Sequence, residues 1–372
     1  MRKLKVIQLV PELNSGGVER GTLELGKYLS LQGHESVVIS NGGRMVDQLI
    51  RDGSQHIQMP VHRKNPVSLL QVLKLRKLFL HEKPDIVHAR SRVPAWLAFI
   101  ALSTIARPQR PKFITTVHGF YSVSRYSAIM TKGDRVICVS ESIKDYVLTN
   151  YHNVPEKRLK VIHRGISQEE FPKMLSLTED WLTNWFNRYP RTKNKKLLLI
   201  AGRITQLKGH ECFLKLLARL PDDFHGLVVG SIHPKRENYY RNLLELVSEM
   251  NLEQRVTFTG EHTDMKEIYS LSHLTLSLSS KPESFGRTVL ESLSCGCPVV
   301  GYKHGGVGEI LNNCFPYGLL NLNDLDQAVS KIKNLHDRYL EITIPPVYSL
   351  DFMLNETAQT YFDKLNTKNQ LL

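Results

Sequence analysis

The sequence predicts an α/β protein built from two doubly wound domains in tandem, each a parallel sheet with helices on both faces. Short apolar runs rich in β-branched residues alternate with segments whose apolar residues recur at helical spacing. The alternation is interrupted once, by a polar and basic stretch at residues 171–196, and then begins again. Because strand–helix alternation is typical of parallel sheets, each run predicts one such sheet.

The first run covers residues 1–170 and predicts the N-terminal domain. The strand KVIQLV is followed by a glycine loop and by the helix VERGTLELGKYLSLQG, whose last glycine is typical of a C-cap. The same patterns predict the strands ESVVIS, PDIVHAR, KFITTVHG, RVICVS and KVIHRGI, separated by the helices PVSLLQVLKLRKLFLHEK, VPAWLAFIALSTIA and ESIKDYVLTNY.

The second run covers residues 197–345, after a predicted linker at 171–196 that has room for one short helix. Its predicted strands are KLLLIAGR, HGLVVGS, RVTFTG, LTLSLSS and PVVGYK. Its predicted helices are HECFLKLLARL, ENYYRNLLELVSEMN, DMKEIYSLS, 286–295 and 324–336. Within 346–372, the segment SLDFMLNETAQTYFDKL predicts a final helix that packs back on the first domain.

Composition favours a globular cytoplasmic protein. No apolar stretch approaches the roughly 18 residues of a membrane-spanning helix, and the apolar run near the N-terminus is shorter than the roughly 7–15 residues of a signal-peptide core. The five cysteines are scattered and odd in number, which favours free thiols in a reducing compartment over disulfides or a zinc site.

The net charge of +13 is concentrated in the first half of the chain. Residues 1–170 hold 26 Lys and Arg against 14 Asp and Glu, whereas residues 171–372 hold 23 against 22. Charge that served only solubility would be spread more evenly. The asymmetry therefore favours an anionic partner for the first domain: nucleic acid, an acidic membrane surface or a negatively charged acceptor.

Candidate functional residues of the first domain follow predicted strands, at the edge where open parallel sheets bind ligands. Gly16 and Gly17 follow the first strand, and adjacent glycines allow backbone NH groups to approach a phosphate or sugar closely. A tight turn is the alternative. His118 ends the strand FITTVHG, a position that favours a functional over a structural role.

In the second domain, Arg203 and Lys208 follow the first strand within GRITQLKGH, beside Gly202 and Gly209. Two cations five positions apart in a glycine-containing loop suit a diphosphate, because Arg supplies a planar fork of donors and Lys a point charge.

The stretch KPESFGRTVLESLSCG carries a carboxylate on each side of a predicted helix start. If that helix begins near Phe285, Glu283 lies in the preceding loop and Glu291 about two turns into the helix. Gly286 would then expose the first NH groups to a negatively charged ligand. Carboxylates accept hydrogen bonds from sugar hydroxyls, so the cluster suits a sugar and a phosphate together. An exposed helix residue is the alternative for Glu291.

Several motifs together resemble the retaining glycosyltransferases of family 4, whose GT-B fold consists of two Rossmann-like domains facing across a cleft. They are GGVER after the first strand, TVHG, GR-x4-KG, E-SFGR-x3-E, CPVV and a GG-x2-E loop, and they cover nearly the whole chain. The segments GGVERGTLELGKYL, MPVHRKNP and IVHARSRVPAW further resemble lipopolysaccharide core glycosyltransferases, particularly those similar to mannosyltransferases that modify inner-core Kdo.

The resemblance implies a role for each candidate. Arg203 and Lys208 match the pair that neutralises the departing diphosphate, Glu291 the residue that holds the ribose, and Glu283 the residue that contacts the donor sugar. His118 matches a histidine near the outer hydroxyls of that sugar. Gly16 and Gly17 match the loop under the diphosphate. The backbone that touches sugar and phosphate corresponds to Ser284, Phe285, Gly286 and Arg287, and Gly202 is a further donor-binding candidate.

The resemblance also implies catalysis without a protein nucleophile, a cofactor or a metal, with the nucleotide sugar as co-substrate. The D-x-D sequence at 324–326 lies in NLNDLDQAV, which predicts a helix N-cap. Arg287 departs from the family at large, where an apolar residue often follows FG. It either contacts phosphate or pairs with a carboxylate, and the sequence leaves both open.

In this fold the first domain binds the acceptor, and a Kdo-bearing phosphorylated lipid is acidic, which explains the basic first half. The acceptor-side candidates are Arg90, Arg92, Arg125 and Arg135. The basic helix around Lys74, Arg76 and Lys77 is either a sheet-covering helix with a solvated basic side or a surface for peripheral contact with anionic headgroups of the inner membrane.

The expected function is transfer of a hexose from a nucleotide sugar, with GDP-mannose favoured, to an anionic glycolipid. The alternatives are a UDP-sugar-dependent transferase of the same fold, and an epimerase or sugar-nucleotide binder without transfer. A nucleic-acid partner is not expected, because it rests on charge alone and no recognition module accompanies the charge.

Overall fold

The structure is a computed structural model that describes residues 2–14, 16–64, 66–173, 175–232, 236–335 and 341–366. The chain divides into two compact units: the first comprises Met1–Gly165 with Leu350–Leu372, and the second comprises Ile166–Ser349. Both are parallel sheets with helices, as the sequence predicts.

The first unit contains a sheet of seven parallel strands. The strands are Lys5–Leu9 (β1), Glu35–Ser40 (β2), Gln55–Gln58 (β3), Ile86–Ala89 (β4), Lys112–Val117 (β5), Arg135–Cys138 (β6) and Leu159–Val161 (β7). The helices are Gly17–Leu31 (α1), Val46–Arg51 (α2), Leu70–Glu82 (α3), Arg92–Ser103 (α4), Glu141–Asn150 (α5) and Leu350–Asn366, the last of the chain. The strand order is β3-β2-β1-β4-β5-β6-β7, which reverses between β1 and β4, and such switch points bind ligands in open α/β sheets.

One face of this sheet explains why the last helix belongs to the first unit. Apolar strand residues such as Val6 and Ile114 pack there against Leu29 of α1 and against Leu354 and Tyr361 of the last helix. Burying an apolar side chain of this size contributes roughly 1.5–3 kcal/mol. The final helix therefore completes the core of the first sheet, and the second unit ends at Ser349.

The second unit contains a sheet of six parallel strands. The strands are Lys196–Ala201 (β8), Phe224–Val229 (β9), Val256–Gly260 (β10), Leu274–Ser277 (β11), Val299–Tyr302 (β12) and Leu319–Leu320 (β13). The helices are Glu179–Arg188 (α6), His210–Leu217 (α7), Glu237–Glu249 (α8), Met265–Leu271 (α9), Arg287–Ser294 (α10), Gly305–Cys314 (α11) and Leu325–Leu335 (α12); the last helix of the chain is thus α13. The strand order is β10-β9-β8-β11-β12-β13, with the reversal between β8 and β11.

Residues 171–196, predicted as a linker, lie inside the second unit, and the boundary between units falls at 165/166 rather than at 170. Trp181 and Trp185, four positions apart on α6, stack with ring centroids 5.2 Å apart. Trp181 Nε1 donates to Asp264 Oδ2 at 2.9 Å, and Trp185 Nε1 donates to Thr192 Oγ1 at 3.1 Å. The polar composition of the segment conceals this aromatic face, which contacts Asp264 and His262 of the second unit.

Several elements were not predicted: α2, β3, α11 and β13. Position 336 of the helix predicted at 324–336, and positions 367–372 of the predicted C-terminal segment, lie outside the described residues. In the described ranges, no helix is both long and apolar enough to cross a bilayer.

Candidate active site

The candidate residues of the second unit meet at the carboxyl ends of three neighbouring strands. Arg203 and Lys208 follow β8, the loop 278–286 follows β11, and Gly305 and Gly306 follow β12. Since the strand order reverses between β8 and β11, this edge is the switch point of the sheet. Local sequence patterns therefore place these side chains where the fold binds ligands.

Lys208 and Glu283 form an ion pair at this edge. Lys208 Nζ lies 2.8 Å from Glu283 Oε1, and Ser279 donates its hydroxyl proton to the same carboxylate. Burial alone would raise the pKa of Glu283, but the Lys208 ammonium and the two hydrogen bonds together hold it below its usual value. The carboxylate is therefore ionised at neutral pH and remains a hydrogen-bond acceptor.

Glycines hold the two loops close enough for this pair. Gly209, at φ 79°, follows Lys208, and a Cβ there would lie 2.0 Å from the carbonyl oxygen of Leu278. Gly305, at φ 57°, packs against the backbone of Glu283, where a Cβ would lie 2.5 Å from the carbonyl oxygen. Both positions combine left-handed backbone with a contact that excludes any side chain.

Arg287 pairs with a carboxylate, which is one of the two roles that the sequence leaves open. Its Nε donates to Glu291 Oε1 at 3.0 Å, and Tyr269 donates its hydroxyl proton to Glu291 Oε2 at 3.1 Å. The helix α10 begins at Arg287 with Gly286 as N-cap, so Glu291 lies little more than one turn into it rather than two. Glu291 is only 8% exposed, so the interpretation as an exposed helix residue is wrong.

Tyr269, on α9, was not singled out by the sequence, because a tyrosine within an amphipathic helix reads as an ordinary core residue. It is fully buried, and burial together with the neighbouring Glu291 carboxylate raises the pKa of its phenol far above the usual value. The phenol therefore stays protonated and serves as a permanent donor to Glu291.

The remaining predicted residues of this unit differ in exposure. Arg203 is exposed and pairs with no carboxylate of the described residues. Ser284 is half-buried, whereas Phe285 is buried with its ring centroid 6.1 Å from that of Tyr348. The Phe285 side chain serves packing, which leaves only its backbone for a ligand. Gly202, at φ 136°, lies beside the Lys208 side chain. A Cβ at Gly202 would lie 3.3 Å from Lys208 Cε.

At the first unit's switch point, candidate residues follow β1, β4 and β5, and Arg164, which follows β7, joins them. Arg164 Nη2 lies 2.8 Å from His118 Nδ1. Its Nη1 lies only 2.3 Å from where a Cβ of Gly17 would stand, so the glycine leaves room for the guanidinium. Arg164 was not predicted as a site residue, although its place directly after the strand in KVIHRGI was an available signal.

His118 is held neutral by its surroundings. Burial, followed by the positive charges of Arg164 and Arg90 and by the neighbouring His88, lowers the pKa of its imidazole well below the ordinary value of 6.5.

Comparison with known proteins identifies the family. The profile described as Glycosyltransferase Family 4 matches residues 15–170, and that described as Glycosyl transferases group 1 matches residues 183–338. The crystal structure of a glycosyltransferase from Rickettsia africae is 32% identical to this chain, with a TM-score of 0.86 and coverage of 98% of this chain and 99% of that one. The chain belongs to the family 4 glycosyltransferases. It therefore has the GT-B fold and acts on nucleotide-sugar donors. Membership of a transferase family excludes the two alternative functions, an epimerase and a sugar-nucleotide binder without transfer.

Two curated relatives are more distant. The N-acetyl-alpha-D-glucosaminyl L-malate synthase of Bacillus anthracis is 26% identical over 98% of each chain. The phosphatidylinositol N-acetylglucosaminyltransferase GPI3 subunit of Saccharomyces cerevisiae is 23% identical over 86% of this chain and 72% of that protein.

Of the acceptor-side arginines of this glycosyltransferase, Arg92 has the most distinctive environment. Its guanidinium carbon lies 4.7 Å from the ring centroid of Tyr121 and 5.3 Å from that of Tyr126. Lys64 Nζ also lies over a ring, 5.1 Å from the Tyr126 centroid. Neither cation forms an ion pair with a carboxylate of the described residues. The aromatic faces order both cations without neutralising them.

The other three acceptor-side candidates occupy different environments. Arg90 is buried and donates to Gln8 Oε1 at 3.0 Å, and Arg125 is exposed in the loop after β5. Arg135 begins β6 and donates to the Lys157 carbonyl oxygen at 2.6 Å. Because the amino ends of parallel strands lie at the opposite edge of the sheet, Arg135 is not brought to the candidate site.

Across the part of the chain that the structure describes, no cluster of three or more His, Cys, Asp or Glu side chains could hold a metal ion. Asp324 Oδ1 accepts from the Gln327 backbone NH at 2.9 Å, which is the geometry of a helix N-cap.

Proposed function

We propose that this glycosyltransferase retains anomeric configuration and moves a hexose, with GDP-mannose as the favoured donor, to an anionic glycolipid such as the Kdo-bearing inner core of lipopolysaccharide. The observation that carries the proposal is the meeting of Arg203, Lys208, Glu283 and Glu291 at the switch point of the second sheet. Two cations and two ordered carboxylates there suit the diphosphate and the hydroxyls of a nucleotide sugar.

In the proposed reaction, Lys208 and Arg203 stabilise the negative charge that develops on the departing diphosphate. Glu283 accepts hydrogen bonds from the transferred sugar, and Glu291 accepts them from the ribose. Arg287 and Tyr269 fix the Glu291 carboxylate in place before the donor arrives. This pre-organisation supports a role in binding and orientation rather than in proton transfer.

As the family resemblance implies, Gly16 and Gly17 lie under the diphosphate, His118 contacts the transferred sugar, and the backbone of residues 284–287 touches sugar and phosphate. We propose that the reaction needs no metal, because the cations named above supply the neutralising charge. Transfer that persists undiminished in excess EDTA is the expected result, and a strict requirement for added Mg²⁺ would contradict it.

The proposed acceptor is anionic because the ordered cations Arg92 and Lys64 retain their charge. The names of the two relatives agree with an anionic acceptor, since L-malate is a dicarboxylic acid and phosphatidylinositol is an anionic lipid. The same names favour an N-acetylglucosaminyl donor such as UDP-GlcNAc as the second candidate. The two donors differ in base and in sugar, so a panel of nucleotide sugars separates them.

The proposed site of peripheral membrane contact is the start of α3. Leu70 and Leu73 are 58% and 67% exposed, and the cations Lys74, Arg76 and Lys77 beside them are exposed as well. The opposite face of α3 buries Leu75 and other apolar residues against the sheet. Exposed leucines flanked by lysines suit an anionic lipid surface.

Vesicle sedimentation tests this contact. We expect binding to anionic vesicles at low salt, weaker binding in Leu70→Ser and Leu73→Ser, and normal binding in the control Leu31→Ser, which removes a leucine that is 75% exposed elsewhere. Equal binding of all variants, or of neutral vesicles, would contradict the proposal.

Donor identity is tested first by a thermal-shift panel of GDP-mannose, UDP-glucose, UDP-galactose, UDP-GlcNAc and ADP-heptose. A ligand at about 100 times its dissociation constant adds roughly 2.7 kcal/mol of stability, which such an assay detects. The stabilising donor is then supplied with Kdo–lipid A or with L-malate, and product linkage is determined by NMR. Mannose transfer to Kdo–lipid A with retained configuration is the expected result, whereas N-acetylglucosamine transfer to malate would replace both assignments.

A further inference from the structure

The contact between Arg164 and His118 fixes which nitrogen of the imidazole carries the proton. Arg164 Nη2 lies 2.8 Å from His118 Nδ1. A guanidinium only donates hydrogen bonds, so Nδ1 must accept. A neutral imidazole that accepts at Nδ1 carries its proton at Nε2.

The Nε2 atom of His118 is buried and makes no hydrogen bond to any residue that the structure describes. The charged or titratable groups that face the ring are Arg164, Arg90 and His88, and the hydroxyl oxygen of Tyr121 accepts from the His118 backbone NH at 3.3 Å. None of these groups supplies a negative charge at neutral pH, and burial, Arg164, Arg90 and His88 all disfavour the imidazolium. The ring therefore presents one buried N–H donor that still lacks an acceptor.

We propose that Arg164 is a positioning residue that holds His118 as a neutral imidazole protonated at Nε2, so that His118 donates a hydrogen bond to a hydroxyl oxygen of the sugar substrate. The identity of that oxygen rests on the proposed function, whereas the protonation state rests on the contact itself. His118 then acts neither as a general base nor as a cation. The contact also requires glycine at position 17, because a Cβ there would collide with the Arg164 guanidinium.

The test is histidine-selective ¹⁵N NMR of the full-length protein, in which protonated and unprotonated imidazole nitrogens have different shifts. The spectrum of His118→Gln assigns the His118 signals. In the unmodified protein we expect a protonated Nε2, an unprotonated Nδ1 and no titration between pH 8 and about pH 5.5, because the imidazole pKa lies well below 6.5.

Variants of Arg164 separate positioning from a merely structural role. Arg164→Lys keeps the cationic donor and should preserve the His118 spectrum. Arg164→Met removes it, so that both neutral tautomers appear, while the ring stays neutral because burial, the largest cause of its lowered pKa, remains. The control Arg51→Met removes an exposed arginine from the last turn of α2 and should change nothing. Should Arg164→Met fail to fold, the spectra of the unmodified protein and of Arg164→Lys still show which imidazole nitrogen of His118 carries the proton.

Activity supplies the second readout. Arg164→Met should lower kcat/KM for transfer by roughly tenfold, as expected for the loss of one substrate hydrogen bond, and Arg164→Lys should recover most of it. A proton at Nδ1 of the unmodified protein, titration near pH 6.5, or an unchanged His118 spectrum in Arg164→Met would each overturn the inference. Absence of transfer from every donor, with the expected spectrum, would instead overturn the proposed function and leave the protonation state standing.

Discussion

The cations at the two switch points are held in different ways. At the switch point of the second unit, Lys208 pairs with Glu283 and Arg287 pairs with Glu291. In the first unit Arg92 and Lys64 lie against tyrosine rings, and Arg164 donates to a neutral imidazole. The aromatic faces order Arg92 and Lys64 without cancelling their charge.

If the proposed acceptor is correct, this difference lets one chain bind two anionic substrates in different ways. In the second unit a ligand must compete with an internal carboxylate for Lys208, which favours a ligand of high charge density such as a diphosphate. In the first unit the positive charges of Arg92 and Lys64 would remain available to a weakly charged group of the proposed acceptor, such as a sugar carboxylate. Four predictions test this comparison.

The largest expected effect is the loss of transfer in Lys208→Met. Removing one preorganised charge stabiliser costs about 10²- to 10³-fold in kcat. The control Lys215→Met removes an exposed lysine of α7 in the same unit and should leave the steady-state rate unchanged. Because Lys208→Met also leaves Glu283 without its cation, the double variant with Glu283→Gln is needed. Recovery of kcat in the double variant would show that the unpaired carboxylate, rather than the missing cation, caused the loss.

The second effect is weaker donor binding in Glu291→Gln. Loss of a charged acceptor for the ribose hydroxyls should raise the donor KM by about 10- to 100-fold, with the acceptor KM unchanged. Arg287→Met should produce a smaller change of the same kind, because Arg287 acts through Glu291. Glu245→Gln, at an exposed position of α8, is the control. An Arg287→Met variant that lowers kcat as strongly as Lys208→Met would instead assign Arg287 to the diphosphate.

The third effect concerns the acceptor. Arg92→Met should raise the acceptor KM by about tenfold and leave the donor KM unchanged, because the ordered cation belongs to the first unit. The dependence of acceptor KM on salt should also become shallower, since exposed charge interactions are screened. Arg107→Met, at an exposed position after α4, is the matched control. A change in donor KM alone would move Arg92 to the donor site.

The smallest effect is on stability and follows from the Lys208–Glu283 pair. The pKa of Glu283 is lower in the folded protein than its ordinary value, so the pair stabilises the fold fully above the ordinary carboxyl pKa. That stabilisation is lost as the pH falls through the folded-state pKa. Melting temperatures of the unmodified protein and of Glu283→Gln should therefore converge as the pH is lowered below about 4. A gap that is independent of pH would attribute the effect to packing.

Much of the molecule follows from local sequence. Strand and helix periodicity predicts both parallel sheets, and the residues directly after the strands are brought to the ligand-binding edges because all strands of a parallel sheet point the same way. Arg203, Lys208 and His118 were predicted for that reason, and the structure places each after a strand of its sheet. The sequence did not exclude Arg135 from the acceptor-side candidates, because its position at the amino end of β6 depends on where that strand begins.

Other features required the three-dimensional contacts. Arg164 meets His118 across 46 positions of sequence, and Tyr269 meets Glu291 across 22. The aromatic face of α6 is concealed by the polar residues around it, so its stretch of chain reads as a linker until Trp185 is seen buried.

The sequence by itself therefore determined the family, the two sheets and the edges that carry the site, since these depend on short-range periodicity and on motif spacing. Only the tertiary structure decided which cation pairs with which carboxylate, which nitrogen of His118 carries the proton, and where the second unit begins. Those properties depend on distances between residues far apart in the chain, and a charge or a hydrogen bond is decided by the nearest atoms in space.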